Sequence, residues 1–229
     1  MNPDKSHAMA SRAQCICSTM GFEHATWNAQ YYPENCPEAW RLAYFMNDFR
    51  AVYLPSAAWN ESEAQTAAIA DELEEGFELV IEWPSSYAPD IQAILGRLAP
   101  LKENIACVVL NVDGLSGVEL DAVHAAISRD FNINFFSHTM SVEAQKALAK
   151  QYETGVVWRQ ELSETPILHT PYQVVCLPCQ SLRDMKSVLE QLRPLIDQNA
   201  RVGLFFEPSE HSAQRALEVR ALTELMGLA

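Results

Sequence analysis

Long apolar runs are missing from these 229 residues. None approaches the ~18 consecutive apolar residues that a membrane-spanning helix needs, so no membrane partner is expected. Basic residues are scarce as well: 16 Lys and Arg stand against 30 Asp and Glu, and the net charge is -14. Without any run of Lys or Arg, such a chain repels a phosphate backbone, and nucleic acid is not an expected partner. The opening stretch "MNPDKSHAMASRAQ" lacks the apolar core of a signal peptide. The expectation is a cytoplasmic protein, with a disordered arm over residues 1–12 and one domain over residues 13–229. No G-x-G-x-x-G follows the first apolar run, which removes the main signature of a dinucleotide-binding open sheet. No motif identifies a cofactor.

Cysteine is not scarce. The six thiols of a chain this long, with no signal peptide, are expected to stay reduced. Cys107, inside "IACVVLNV", reads as core packing. Two pairs are better spaced for chemistry. Cys15 and Cys17 form a C-x-C that places both sulfurs on one face of a strand, and Cys176 and Cys179 form a C-x-x-C just before the helix start near Ser181.

Hydrophobic residues make up 48% of the chain and follow a regular rhythm. The runs "CICSTM", "RAVYLP", "FELVIEWP", "NIACVVLNV", "FNINFFSH", "GVVWRQ", "YQVVCLP" and "RVGLFF" read as strands, and most are continuously apolar, as strands covered on both faces must be. Between them lie helical patterns: one after Pro37 that ends near Asp48, then 62–74, 89–98, 117–128, 141–151, 181–193 and 209–226, several opened by Ser. The alternation predicts a TIM-barrel-like parallel (β/α) barrel. Its least regular part is expected in the sixth unit, where "ELSETPILHTP" between Gln160 and Tyr172 shows no proper helix. In such a barrel the eighth strand lies between the first and seventh, so the two cysteine pairs are not expected to share a zinc ion.

The segment "STMGFEHATWNAQYYPENCPEAWRLAYFMNDFRAVYLPSAAW" resembles the start of the YecE-like proteins, the domain of unknown function seventy-two. A Gly-aromatic turn, a Trp, an aromatic-Tyr-Pro step, a helix and a strand follow in the family's order, and "RVGLFFEPSEHSAQRALEVRALTELMG" looks like its closing unit. The resemblance implies a TIM-barrel-like fold and no established reaction. It also marks departures: Tyr53, Pro55 and Asn60 stand where the family carries Glu, Asn and Arg, Glu207 and Pro208 stand where it carries paired Asn, and "NFFSH" leaves His138 with altered partners.

A barrel places its working residues at the C-terminal strand ends. Polar residues there are Glu82, Asn111, Asp113, His138, Arg159 and Glu207. His138, Glu207 and Glu82 are the candidate catalytic groups. Asp113, His138 and Glu207 are the candidate metal ligands, because carboxylates and imidazole from neighbouring strands suit a divalent ion. His24, Trp27, Trp59, Trp83 and Arg159 are candidates for ligand binding, the indoles as pocket walls. Two functions fit: a barrel with an altered polar site that acts as a binding or scaffold protein for a small molecule or a protein partner, or a metal-assisted hydrolase or isomerase acting on a small polar or sugar-like ligand at the C-terminal face of the barrel.

Overall fold

The computed structural model describes residues 15–28, 30–84, 91–159, 170–198 and 200–229. Strands and helices alternate except where β6, β7 and β8 follow in turn: β1 (Cys15–Thr19), α1 (Arg41–Asp48), β2 (Ala51–Leu54), α2 (Glu63–Glu72), β3 (Glu78–Glu82), α3 (Ile91–Leu98), β4 (Ile105–Asn111), α4 (Gly117–Ile127), β5 (Asn132–Phe136), α5 (Val142–Tyr152), β6 (Gly155–Val156), β7 (Trp158–Arg159), β8 (Tyr172–Leu177), α6 (Leu182–Asp197), β9 (Arg201–Phe206) and α7 (Ser212–Leu225). Among the described residues, no helix is long and apolar enough to cross a membrane. The expected arm over residues 1–12 lies outside the described residues, as does most of the expected irregular stretch, 160–169.

Among the described residues every ladder is parallel, in two sheets of order β1-β9-β8-β7 and β2-β3-β4-β5-β6. Together they make a TIM-barrel-like ring whose ladder is split at two seams. At the first, Met20 bridges Tyr53, the Gly21 N–H donates to the Tyr53 carbonyl at 2.7 Å, and the Ser18 hydroxyl donates to the Ala51 carbonyl at 2.5 Å. At the second, the chain itself crosses: β6 pairs with β5, Val157 intervenes, and β7 pairs with β8. Two-residue strands cannot satisfy neighbours on both sides along their whole length. Side chains complete the pairing instead. The Asn134 amide donates to the Tyr172 carbonyl at 2.9 Å and accepts from the Val174 N–H at 3.3 Å, while Gln173 donates to the Val156 carbonyl at 2.7 Å. Gly155 leaves room for this amide, because a Cβ there would stand 2.5 Å from Asn134 Oδ1.

Strand alternation then sorts the core into two layers. Ile16, Ala51, Tyr53, Val80, Cys107, Val109, Val157, Tyr172, Val174, Cys176 and Phe205 fill the ring. Their neighbours, among them Cys15, Cys17, Val52, Leu54, Leu79, Ile81, Val108 and Leu110, face the helices. Burial on both faces is why the strand sequences are continuously apolar. Each large side chain so buried contributes about 1.5–3 kcal/mol relative to exposure. Cys15 and Cys17 thus lie on the opposite side of the sheet from Cys176, and β9 separates their strands.

Serines open several of the helices, as the sequence suggested, and one helix start shifts. Ser62, Ser141 and Ser181 accept from the backbone N–H three residues on, and Ser116 forms a full capping box with Glu119. The last helix starts at Ser212 rather than Ser209, because Ser209 forms a turn in which the Ser212 hydroxyl donates to its carbonyl at 2.9 Å.

Candidate functional site

Parallel strands bring all their C-terminal ends to one mouth of the ring. Glu82 ends β3, and two neighbours fix it. The Trp59 indole donates to the Glu82 carbonyl at 3.2 Å, and the Tyr53 phenol donates to its carboxylate, also at 3.2 Å. Burial pushes the Glu82 carboxyl above its ordinary range, against the pull of the Tyr53 hydrogen bond, Arg159 and His138. The same burial, with Cys176 and Glu82 nearby, holds the Tyr53 hydroxyl well above the usual phenol value, so it stays a proton donor to Glu82.

Arg159 ends β7. Its guanidinium lies over the Phe136 ring, 4.2 Å from the centroid, and the His138 ring packs edge-on to the same phenyl at 4.4 Å. Glu207, just past β9, reaches Arg159 at 3.9 Å, an ion pair too long for a hydrogen bond. Below Arg159 sits the Cys176 thiol, pushed up to about 12 by burial although Arg159 pulls it down. That thiol is a packed neutral group rather than a nucleophile. Glu82, His138, Arg159 and Glu207, chosen from sequence as polar residues after apolar runs, therefore meet at one mouth.

Asp113 serves its own loop. Its carboxylate accepts from the Ser137 hydroxyl, from the Thr139 hydroxyl at 2.6 Å and from the His138 N–H at 2.6 Å. Burial opposes its charge, yet these hydrogen bonds hold it below the usual carboxylate range. Its oxygens fasten the turn that carries His138. Among the described residues, no three His, Cys, Asp or Glu side chains are placed to hold a metal ion, so the trio of Asp113, His138 and Glu207 is not assembled as ligands. Asn111 likewise turns to the backbone, accepting from the Asp113 N–H at 2.9 Å.

The residues expected to wall a pocket are placed elsewhere. Trp27, Trp59 and Trp83 are 1%, 0% and 3% exposed and pack between sheet and helices, so no indole face is offered to a ligand. Trp27 ties the first loop to the last by donating to the Ser209 carbonyl at 2.9 Å. His24 caps the short turn Ala25–Trp27, accepting from the Thr26 N–H. Of the positions where the sequence departs from the YecE-like pattern it resembles, Asn60 is held by Arg97, which donates to its side chain at 2.7 Å. Pro55 and Pro208 line a separate cavity of about 770 Å³ with Met20, Gly21 and Leu42. Tyr53, which the sequence marks only as a departure from the YecE-like pattern, is a further member of the mouth; counting every second residue of β2 from Ala51 inward places it there.

With this geometry in view, comparison with known proteins gives the following. No family model matches the chain, and no curated protein does. Among solved structures, a DUF72 family protein from Enterococcus faecalis V583 superposes with a TM-score of 0.66 over 95% of this chain and 99% of its own, at 14% identity. The two share one fold. KGPDC from Streptococcus mutans, solved in complex with a ligand, superposes with a TM-score of 0.53 over 92% of this chain and 98% of its own, at 6% identity. Both likenesses concern the backbone architecture, which is the TIM-barrel-like ring described above.

Proposed function

We propose that the chain is a divergent YecE-like barrel that binds a small polar molecule at the C-terminal mouth. The observation that carries this reading is the meeting of Glu82, His138, Arg159 and Glu207 on four different strand ends, with Arg159 loosely paired at 3.9 Å. These groups are held in place by Tyr53, Trp59, Phe136 and the Asp113-fastened turn, yet their polar atoms remain available to a ligand. The YecE-like order of the first loop and helix, and the fold shared with a DUF72 family protein, support the family assignment.

A second reading adds proton transfer at the same place. Glu82 is a half-buried carboxyl raised above its ordinary range by burial, with a phenol on its oxygen, an environment that suits a carboxyl to take up and pass on a proton. The supported chemistry is then isomerisation or hydrolysis of a hydroxylated ligand.

The test is a thermal-shift screen of sugars, polyols, sugar acids and sugar phosphates against the wild type, Arg159→Gln and Glu82→Gln. The binding reading expects ligands that stabilise the wild type and lose that effect in Arg159→Gln. Turnover of a ligand by the wild type, lost in Glu82→Gln while binding persists, would establish the second reading. No stabilising ligand at millimolar concentration would count against both.

A further inference from the structure

Between the ends of β5 and β7 lies a cavity of about 290 Å³, lined among others by Phe136, His138, Ser141, Gln145, Val157 and Arg159. We propose that this cavity receives an oxyanion, the carboxylate or phosphate group of the ligand, on Arg159 and His138. The inference rests on the binding function proposed above and specifies the chemical class of its ligand.

Five observations converge on it. Arg159 carries more donors than it uses: Glu207 stands at 3.9 Å, and Nε is buried with no hydrogen-bond partner among the described residues. A desolvated, unpaired guanidinium N–H is costly, and an oxyanion accepting two parallel hydrogen bonds relieves that cost better than a neutral hydroxyl. The guanidinium is also held in advance. Its position over Phe136, 4.2 Å from the centroid, restrains it, so less side-chain entropy remains to be lost on binding.

His138 is positioned just as firmly. Its backbone N–H is bound by Asp113 at 2.6 Å, and the Ser137 hydroxyl accepts from the Met140 N–H at 2.9 Å, which closes the turn on the other side. Ser141 and Val142, at the start of the eleven-residue α5, line the same cavity and bring the positive end of that helix to it. The cavity volume is at the small end for ligand pockets, which suits one anionic group with a short arm rather than a whole cofactor.

Two carboxylates compete for Arg159. Glu207 is the weaker competitor, because its contact is long and it is half exposed, so the incoming anion displaces it. Glu82 is held by Tyr53. The overall charge of -14 slows the approach of an anion but does not act at the contact distance, where the local pair decides.

The test uses inorganic phosphate on the full chain at constant ionic strength, with chloride as the reference anion, followed by calorimetry or by protein NMR. The wild type is expected to bind phosphate saturably at millimolar concentration, with chloride unable to substitute. Arg159→Gln should weaken this at least tenfold, and Glu207→Gln should tighten it severalfold, a gain that misfolding cannot mimic. Non-saturable binding, or an affinity unchanged in both variants, would overturn the inference. Neutral polyols that bind in an Arg159-dependent manner while phosphate does not would overturn it and leave the binding function standing. Failure of polyols and phosphate together would remove both.

Discussion

The two ends of the ring each hold an Arg–Glu pair, and the pairs differ. At the N-terminal end, Arg201 of β9 meets Glu78 of β3 across the ring in close contact, with side chains only 22% and 10% exposed. At the C-terminal end, Arg159 and Glu207 stand 3.9 Å apart and are 32% and 41% exposed. The first pair plugs the floor, next to Tyr172 and the Asn134 amide. Both arginines keep an Nε without a hydrogen-bond partner among the described residues, but the second also holds its carboxylate only loosely, above a packed core. One architecture thus uses the same two residue types once for closure and once for reception, and what separates the two uses is burial and distance.

Removing each arginine should expose that difference most sharply. Arg201→Met leaves the buried Glu78 carboxylate without its cation and is expected to cost about 3 kcal/mol in denaturant unfolding, because breaking a buried pair leaves an uncompensated charge. Arg159→Met should cost no more than ~1 kcal/mol, the range of a half-exposed pair, while abolishing ligand binding. Equal costs would erase the distinction.

The second seam offers the next largest effect. Gly155→Ala drives a Cβ to within 2.5 Å of Asn134 Oδ1 and 2.8 Å of Thr170 Cγ2, so the amide that completes β8 must move. A loss of about 2 kcal/mol is expected, the usual cost of overpacking at a site that cannot yield freely. A neutral substitution would mean that the seam adapts and that β6 is less fixed than its partners.

The smallest effect concerns pH. Because burial raises the Glu82 carboxyl above its unfolded value, the folded state holds that proton longer than the unfolded one, and stability from this group declines as pH rises from the unfolded value through the folded one. Glu82→Gln removes the penalty. Its melting temperature should exceed that of the wild type at pH 7, and the difference should shrink toward pH 4. A variant less stable than the wild type at pH 7 would show that the Tyr53 hydrogen bond outweighs the burial of the charge.

Much of the fold was legible because a strand buried on both faces is written as a continuous apolar run, and because Ser62, Ser141 and Ser181 announce helix starts by their own hydrogen bonds. The split of one strand into β6 and β7 was not legible. It depends on an amide from β5 reaching β8 past Gly155, a contact between residues distant in sequence that leaves no local pattern. Polar residues that end apolar runs pointed to Glu82, His138, Arg159 and Glu207 for the same periodic reason. Asp113 shows the limit of that signal. A carboxylate after a strand fits a pocket and a turn equally well in sequence, and it is the N–H and hydroxyl groups of residues 137–139 that claim it. The tryptophans mislead for a related reason, since an indole near a strand end fills the space between sheet and helix as readily as it walls a cleft.

The central claim is that Arg159 receives and Arg201 closes. Arginine Nε–H groups give separate signals in a proton–nitrogen spectrum, and these two can be assigned by their loss in Arg159→Gln and Arg201→Gln. As phosphate or a stabilising ligand from the screen is titrated into the full chain, the Arg159 signal is predicted to move and saturate while the Arg201 signal stays in place. A saturating shift at Arg201, or a ligand that binds and leaves the Arg159 signal unmoved, would contradict the account.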